Sequence, residues 1–216
     1  DGLFIRETTA TNHYTFRFAQ KAQALGLVVM DDPDSILKCT NKVYLSELLK
    51  RHRLSSPKTE IVGRHNCEHL AQSIVYPCVL KQPDSAFSQG VVKAENKEQF
   101  ARFVAELLTK SELILVQEYV PTEYDWRVGV LDGRPIFVCK YYMAKGHWQI
   151  YNHKDDGSNI DGESVAVPIA NAPEKLLRMA VRAANFVGNG LYGVDIKEFR
   201  GHFRIIEIND NPNVDH

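Results

Sequence analysis

The strongest constraint on the fold is a pair of apolar segments near the C-terminus that acidic and amide residues interrupt. Residues 192–199 and 203–209 carry Val and Ile at frequent intervals, which is typical of two β-strands. The short polar stretch between them predicts a hairpin. Asp195, Glu207 and Asn209 lie within these strands, so a sheet built from them must present charged and polar groups on one of its faces.

The register of this hairpin decides whether those three side chains meet. Side chains alternate along a strand, so Glu207 and Asn209 share one face. A two-residue turn would pair Asp195 with Ile206 and place Glu207 on the opposite face, whereas a three-residue loop at 200–202 would pair Asp195 with Glu207. Two facing carboxylates need a cation between them, and these oxygen ligands suit Mg²⁺ or Mn²⁺. A solvated polar strand face is the alternative.

The rest of the chain alternates helical periodicity with short β segments, which predicts an α+β protein. Helices are predicted at 12–25, from 40 or 41 to 49, at 96–108 and from 173 to 187. Strands are predicted at 27–30, 59–62, 79–81, 91–94, 113–120, 126–131, 134–143 and 147–151, with turns at 31–34 and 132–133. A chain of 216 residues with this pattern has room for one large or two small domains.

Composition excludes several classes of protein. The net charge of −1 offers no basic footprint for non-specific nucleic-acid binding. No apolar run approaches the roughly 20 residues of a membrane helix. The four cysteines are widely spaced and form no CxxC motif, so reduced thiols in a cytoplasmic protein are expected rather than a disulfide framework. The sequence therefore predicts an ordinary globular protein.

A lysine at the end of an apolar strand provides a candidate phosphate ligand. Lys81 ends the segment 76–81 and precedes a small, polar loop at 82–90. An ammonium group in this position can meet a phosphate whose oxygens are cradled by the backbone N–H groups of the loop. No G-x-x-x-x-G-K-[ST] sequence occurs, so the loop is not a Walker A motif. An ordinary strand-end lysine explains this stretch equally well.

A third polar group follows the apolar strand that ends before Pro121. Exposed backbone groups around residues 117–120 can recognise an adenine edge. Asp125 can hold ribose hydroxyls, and Arg127 shares its strand face and can reach a phosphate. A plain surface ion pair between Asp125 and Arg127 is the alternative interpretation.

Taken in this order, the three features resemble the ATP-grasp superfamily, and within it the RimK-type carboxylate–amine ligases, which are relatives of glutathione synthetase and D-alanine–D-alanine ligase. The resemblance covers nearly the whole chain. It implies an α+β ATP-grasp fold whose two lobes hold ATP between their sheets. Residues 1–40 would be the remnant of a preceding domain together with the entry helix, and residues 41–216 the ATP-grasp domain, with a small lobe at about 58–120 and a large lobe at about 121–216.

The resemblance also implies roles for individual residues. The segment 39–42 is similar to the start of the family's first helix with its lysine, and the loop 85–90 is similar to the family's flexible lid. The residues expected to bind ATP are Lys42, Lys81, Gln117, Glu118, Tyr119, Val120, Asp125, Tyr151 and Asn152. The metal ligands would be Asp195, Glu207 and Asn209, and the catalytic residues Arg127 and Lys140.

The implied reaction is an ATP- and Mg²⁺-dependent ligation of a carboxylate to an amine through an acyl phosphate, with glutamate as a candidate amino acid. The expected substrate is an amino acid or a peptide, including a protein terminus. Neither nucleic acid nor a membrane is expected as a partner, and a homo-oligomer is compatible with the resemblance. Two further functions stay open: a nucleotide-binding regulatory module without ligase activity, and an ATP-grasp small-molecule kinase.

Overall fold

The computed structural model describes residues 1–85, 90–153 and 159–214, and the side chains of all of these except residues 152, 153, 159 and 160. The chain begins with β1 (Gly2–Phe4), α1 (Tyr14–Ala24) and β2 (Val28–Met30). The two strands pair in parallel, and the helix connects them along the chain. Gly26, at φ +76°, lets the chain leave α1, as the sequence predicts.

Of the next two helices, the sequence pattern predicts the second but not the first. The predicted turn at 31–34 is instead the start of α2 (Pro33–Thr40). The Asp32 carboxylate accepts hydrogen bonds from the backbone N–H groups of Asp34 and Ser35, and a proline fits the first turn of a helix, where its missing N–H costs nothing. Helix α3 (Lys42–Arg51) begins after Asn41, as predicted.

A four-stranded antiparallel sheet follows. Its elements are β3 (Thr59–Val62), α4 (Cys67–Ser73), β4 (Cys78–Lys81), β5 (Val91–Ala94), α5 (Lys97–Leu107) and β6 (Ile114–Glu118). The strand order is β3-β6-β4-β5. Apolar residues on one face, such as Leu80 and Val116, pack with α5, whose Phe100 is fully buried. Helix α4, which buries none of its residues completely, is absent from the sequence prediction.

A five-stranded sheet occupies the rest of the chain. Its region contains β7 (Tyr124–Leu131), β8 (Arg134–Tyr142), β9 (Tyr151–His153), β10 (Asn159–Asp161), β11 (Ser164–Ala166), a 3₁₀ turn (Ile169–Asn171), α6 (Glu174–Val187), β12 (Leu191–Phe199) and β13 (His202–Asp210). The order is β11-β8-β7-β12-β13, and β9 and β10 form a separate hairpin. The predicted strand at 147–151 is wrong, since a strand starts only at Tyr151.

The two faces of the five-stranded sheet differ in character. Val128, Val194 and Ile196 are fully buried on one face, where they pack with the apolar side of α6. Because side chains alternate, Arg127 and Asp195 point to the other face. That second face therefore carries the polar residues that the sequence analysis singled out.

The hairpin between β12 and β13 combines both registers that the sequence left open. Its turn has two residues, Arg200 and Gly201, with φ values of 52° and 75° that fit a type I′ turn. Asp195 nevertheless pairs with Glu207, because a β-bulge beside Ile206 shifts the register. The bulge places Glu207 on the polar face without requiring the three-residue loop.

Two other features bear on the sequence predictions. Among the described helices, none is long and apolar enough to cross a membrane. None of the four cysteines, all of which lie within the described ranges, forms a disulfide bond. The sheets span residues 59–118 and 124–210, but the exact division into a small and a large lobe, and the assignment of residues 1–40 to a preceding domain, stay predictions.

Candidate active site

The polar face of the five-stranded sheet brings the candidate metal ligands into adjacent rows. Arg127, Asp195 and Glu207 occupy neighbouring positions on β7, β12 and β13. Asn209 lies opposite Gly193 in the next row. The predicted trio of Asp195, Glu207 and Asn209 is thus on one face, and Arg127 lies beside it.

Arg127 and Asp195 form a bidentate ion pair. The arginine Nε and Nη2 atoms donate to Asp195 Oδ1 and Oδ2 at 2.7 and 2.9 Å, and the two side chains are only 13% and 15% exposed. Burial raises the pKa of Asp195, an effect that Arg127 opposes. Burial alone would lower the pKa of Arg127, but Asp195 raises it, so the guanidinium stays charged. Asn209 Nδ2 also donates to Asp195 Oδ2, at 3.0 Å, which leaves the amide oxygen of Asn209 available.

Lys42 connects Glu207 with the loop after β4. Its Nζ lies 2.9 Å from Glu207 Oε1 and also donates to the carbonyl oxygen of Ser85. The backbone N–H of Lys42 donates to the Pro83 carbonyl at 3.0 Å. Burial would raise the pKa of Glu207, but Lys42 and Lys81 outweigh it and the pKa is lowered. Glu207 is therefore a carboxylate with two lysines close by.

Lys81 reaches the same cleft from the four-stranded sheet. Its Nζ donates to Gln117 Oε1 at 2.8 Å, and Gln117 Nε2 donates in turn to Thr59 Oγ1 at 2.9 Å. Lys42, Lys81, Gln117 and Ile206 line one cleft, so the two sheets face each other across it. Burial lowers the pKa of Lys81 to about 8, although Glu207 opposes that change.

The low pKa of Lys81 predicts that nucleotide binding weakens in mildly alkaline solution. Above a pH of about 8 the lysine loses its proton and can no longer attract a phosphate. The affinity for ATP should therefore decline as the pH rises through this value. Arginine stays charged throughout this range, so Lys81→Arg should bind ATP with an affinity that changes little. Calorimetric titrations of both proteins between pH 7 and about pH 9.5 measure this, and an equal decline in both would contradict the assignment.

The candidate adenine hinge lies at the junction of the two sheets. Glu118 Oε1 accepts a hydrogen bond from Arg204 of β13 at 2.7 Å, and Oε2 accepts one from the backbone N–H of Lys58 at 3.3 Å. The Tyr119 ring lies 4.8 Å from the Nζ of Lys93, and Val120 is buried. The segment 117–120 is thus held from both sheets, which keeps its position relative to the cleft fixed.

Asp125 is bound by a lysine that the sequence analysis missed. Its Oδ1 accepts hydrogen bonds from Lys197 Nζ at 2.6 Å and from Thr122 Oγ1 at 2.9 Å. Lys197 follows Asp195 by two positions and so shares its face. The two-residue spacing between Asp195 and Lys197 could therefore have identified this lysine from the sequence. Tyr141, whose ring lies 4.8 Å from the Arg127 guanidinium, is a second residue that was missed.

Lys140 is not brought to this face, and its catalytic role stays a prediction that this placement does not support. It pairs with Trp126 in the ladder between β7 and β8, so it points to the side opposite Arg127. Its Nζ lies 4.3 Å from the ring centre of Tyr124 and 4.8 Å from that of Trp126. Tyr141, the next residue, occupies the polar face instead.

The remaining predictions concern Tyr151 and Asn152 of β9 and the loop that follows β4. Tyr151 is among the groups that raise the pKa of Arg127. The side chain of Asn152 lies outside the described residues, as do loop residues 86–89. Their proposed contacts with nucleotide stay predictions.

The donor set fits a hard divalent cation. No group of three or more His, Cys, Asp or Glu side chains suited to a metal occurs within the described ranges. Asp195 and Glu207 are nevertheless paired across the ladder, and the Asn209 amide oxygen can complete an all-oxygen set. Mg²⁺ commonly takes only one or two carboxylates and fills its other positions with water and phosphate oxygens. These residues are therefore suited to Mg²⁺ or Mn²⁺.

Comparison with solved structures defines the class of protein. The chain superposes on the ATP-grasp ligase PsnB complexed with a minimal precursor with a TM-score of 0.67, at 22% identity. The match covers 92% of this chain and 60% of that one. The chain thus has the ATP-grasp fold, and the predicted fold is confirmed. The chain belongs to the family described as the D-ala D-ala ligase C-terminus. The match to this family covers residues 40–215.

The chain is also similar to curated proteins that are named as ligases. The chain is 24% identical over 218 residues to the alpha-aminoadipate–LysW ligase LysX of Saccharolobus solfataricus, covering 97% of this chain and 75% of LysX. It is 23% identical over 219 residues to a probable alpha-L-glutamate ligase of Psychromonas ingrahamii, covering 100% of this chain and 70% of that protein. The resemblance to ATP-grasp ligases is confirmed.

Proposed function

We propose that this chain is the ATP-grasp part of an ATP- and Mg²⁺-dependent ligase that joins a carboxylate to an amine. The observation that carries the proposal is the Asp195–Glu207 pair, which lies between Arg127 on one side and Lys42 on the other. Carboxylates for a metal and cations for phosphates within one cleft are what phosphoryl transfer from Mg-ATP requires. The relatives named above support the same chemistry.

The proposed reaction has two steps. An oxygen of the substrate carboxylate attacks the γ-phosphorus of ATP, the bond from that phosphorus to the bridging oxygen breaks, and ADP leaves. The amine then attacks the carbonyl carbon of the acyl phosphate, loses a proton, and displaces inorganic phosphate to leave an amide. Both steps depend on positioning and charge neutralisation and need no nucleophile from the protein.

The residues of the cleft supply that neutralisation. Lys42, Lys81 and Arg127 provide positive charge for phosphate oxygens, and since the side chains of Lys42 and Arg127 are only 12% and 13% exposed, their charges are weakly screened. Asp195, Glu207 and Asn209 would hold the metal ion, which on binding neutralises charge on the β- and γ-phosphates. The segment 117–120 would hold the adenine.

The substrate is proposed to be an amino acid or a peptide, with glutamate as the first candidate. LysX is named for joining alpha-aminoadipate to LysW, and other relatives are named as alpha-L-glutamate ligases. A structure of the PsnB relative contains a minimal precursor. A protein terminus is therefore included among the acceptors to be tested, and the cytoplasm is the proposed location.

The test is to measure ADP and phosphate released from Mg-ATP while amino acids and short peptides are supplied singly and in pairs. Release that requires both a carboxylate and an amine, with an amide product identified by mass, is the expected result. A phosphorylated product without an amide would indicate a small-molecule kinase. Nucleotide binding with no release under any condition would indicate a regulatory module. Either outcome would overturn the ligase proposal.

A further inference from the structure

Lys197 is a largely buried cation on the polar face, and the proposed reaction does not use it. It lies on β12 one row beyond the Arg127–Asp195 pair, and its side chain is only 15% exposed. Burying an ammonium group costs free energy unless it is well paired, so its partners indicate its role. Those partners are Asp125 and Thr122.

Three hydrogen bonds join Lys197 Nζ, Thr122 Oγ1 and Asp125 Oδ1 in a closed triangle. Lys197 Nζ donates to Asp125 Oδ1 at 2.6 Å and to Thr122 Oγ1 at 2.7 Å. Thr122 Oγ1 also donates to Asp125 Oδ1, at 2.9 Å. Within the described residues, no hydrogen bond ends on Asp125 Oδ2. One carboxylate oxygen is therefore fixed by two donors, and the other remains an acceptor for a hydroxyl group.

The triangle faces the cleft. Asp125 and Lys197 lie two positions from Arg127 on β7 and from Asp195 on β12, so their side chains share the polar face. Both also influence the pKa of Lys81, which extends from the opposite sheet. Asp125 also influences the pKa of Asp195 on its own sheet. The segment 117–120 leads directly into this strand, so the triangle lies between the candidate adenine hinge and the row that contains Asp195. In a nucleotide, the group between the base and the phosphates is the sugar.

Charge gives a second reason for the lysine. An unpaired carboxylate at Asp125 would repel the phosphates of a nucleotide in the same cleft. Lys197 cancels that charge while it restricts the rotation of the side chain. A carboxylate held in one orientation loses less conformational entropy when a ligand binds.

We propose that Lys197 is a positioning residue, which with Thr122 holds Asp125 so that its Oδ2 accepts hydrogen bonds from the sugar hydroxyls of the nucleotide. This inference rests on the proposed function, because it needs a nucleotide in the cleft. It makes Lys197 a determinant of specificity for ribonucleotides over deoxyribonucleotides. The lysine itself does not contact the nucleotide.

The experiment compares the affinities of ATP, 2′-deoxy-ATP and 3′-deoxy-ATP for four proteins in the presence of Mg²⁺. These are the unaltered protein, Lys197→Met, Lys197→Arg, and Lys175→Met as a matched lysine on the exposed side of α6. In the unaltered protein, at least one deoxynucleotide should bind about 10- to 100-fold more weakly than ATP, since a hydrogen bond to a charged acceptor is lost. Lys197→Met should reduce that ratio to about 3-fold or less.

The conservative variant and the control separate positioning from simple stabilisation. Lys197→Arg should recover most of the ratio, because a guanidinium can also donate to Asp125 Oδ1. Lys175→Met should leave both the ratio and the ATP affinity unchanged. Thermal unfolding of each variant shows whether it is folded. If Lys197 had a purely structural role, Lys197→Met would lower the melting temperature without changing the ratio of affinities.

Each outcome has a definite meaning. An unchanged ratio in Lys197→Met would overturn the inference, as would a ratio near one in the unaltered protein. A folded Lys197→Met variant that binds no nucleotide would indicate a direct contact between the ammonium and the nucleotide, and would also overturn it. Failure of the unaltered protein to bind ATP would overturn the proposed function itself, and with it this inference.

Discussion

Replacing Glu207 with glutamine should lower ATP turnover by about 100-fold or more, since removing one preorganised charged group from a reaction site typically costs this much. Glutamine has nearly the shape of glutamate, so the β-bulge and the pairing with Asp195 should persist. The variant loses one negative ligand for the metal and the ion-pair partner of Lys42. Turnover is measured as ADP formation at saturating Mg-ATP with the substrate pair that supports release.

A second readout for the same variant separates metal binding from nucleotide binding. Lys42 and Glu207 are 2.9 Å apart, and removing the negative charge frees the lysine for a phosphate. The affinity for ADP in the presence of a chelator should therefore be equal to or higher than that of the unaltered protein, while the gain from added Mg²⁺ shrinks. Glu174→Gln, which alters an exposed ion pair on α6, is the matched control and should behave normally. Normal turnover in Glu207→Gln would contradict the metal assignment.

The hairpin illustrates how far the sequence alone leads. Alternation places Glu207 and Asn209 on one face, and the apolar residues around them predict the strands. The register was not predictable, because it depends on a bulge beside Ile206 that no residue type in the sequence marks. Bulges arise from the balance of twist, packing and pairing across the whole sheet.

Other limits of the sequence-based prediction have equally physical causes. The family pattern places Lys140 at the site, but sequence alone cannot fix its face, because a one-residue shift along a strand reverses the face on which a side chain lies. Helix α4 has only seven residues, and its apolar positions Cys67, Leu70 and Ala71 are partly buried, so its apolar stripe is too short to identify a helix from the sequence. The start of α2 was predictable in principle, since an aspartate followed by a proline is a typical helix start.

The ion pair between Arg127 and Asp195 should have the largest effect on stability. Arg127→Met would leave Asp195 as a buried carboxylate whose pKa is already raised by burial. Breaking one side of a buried, bidentate pair typically costs about 3–5 kcal/mol. We expect that loss in the free energy of unfolding near neutral pH, together with turnover reduced by about 100-fold or more because a phosphate-binding cation is gone. Urea denaturation and ADP formation measure the two effects.

The double variant Arg127→Met/Asp195→Asn distinguishes the contribution to stability from the contribution to chemistry. Asparagine removes the uncompensated charge but can still accept the hydrogen bond from Asn209, so most of the lost stability should return. Turnover should stay low, since neither the cation nor the metal-binding carboxylate is restored. Arg178→Met, in an exposed pair with Glu174, should change stability by no more than about 0.5 kcal/mol. Recovery of turnover in the double variant would show that the pair serves the fold alone.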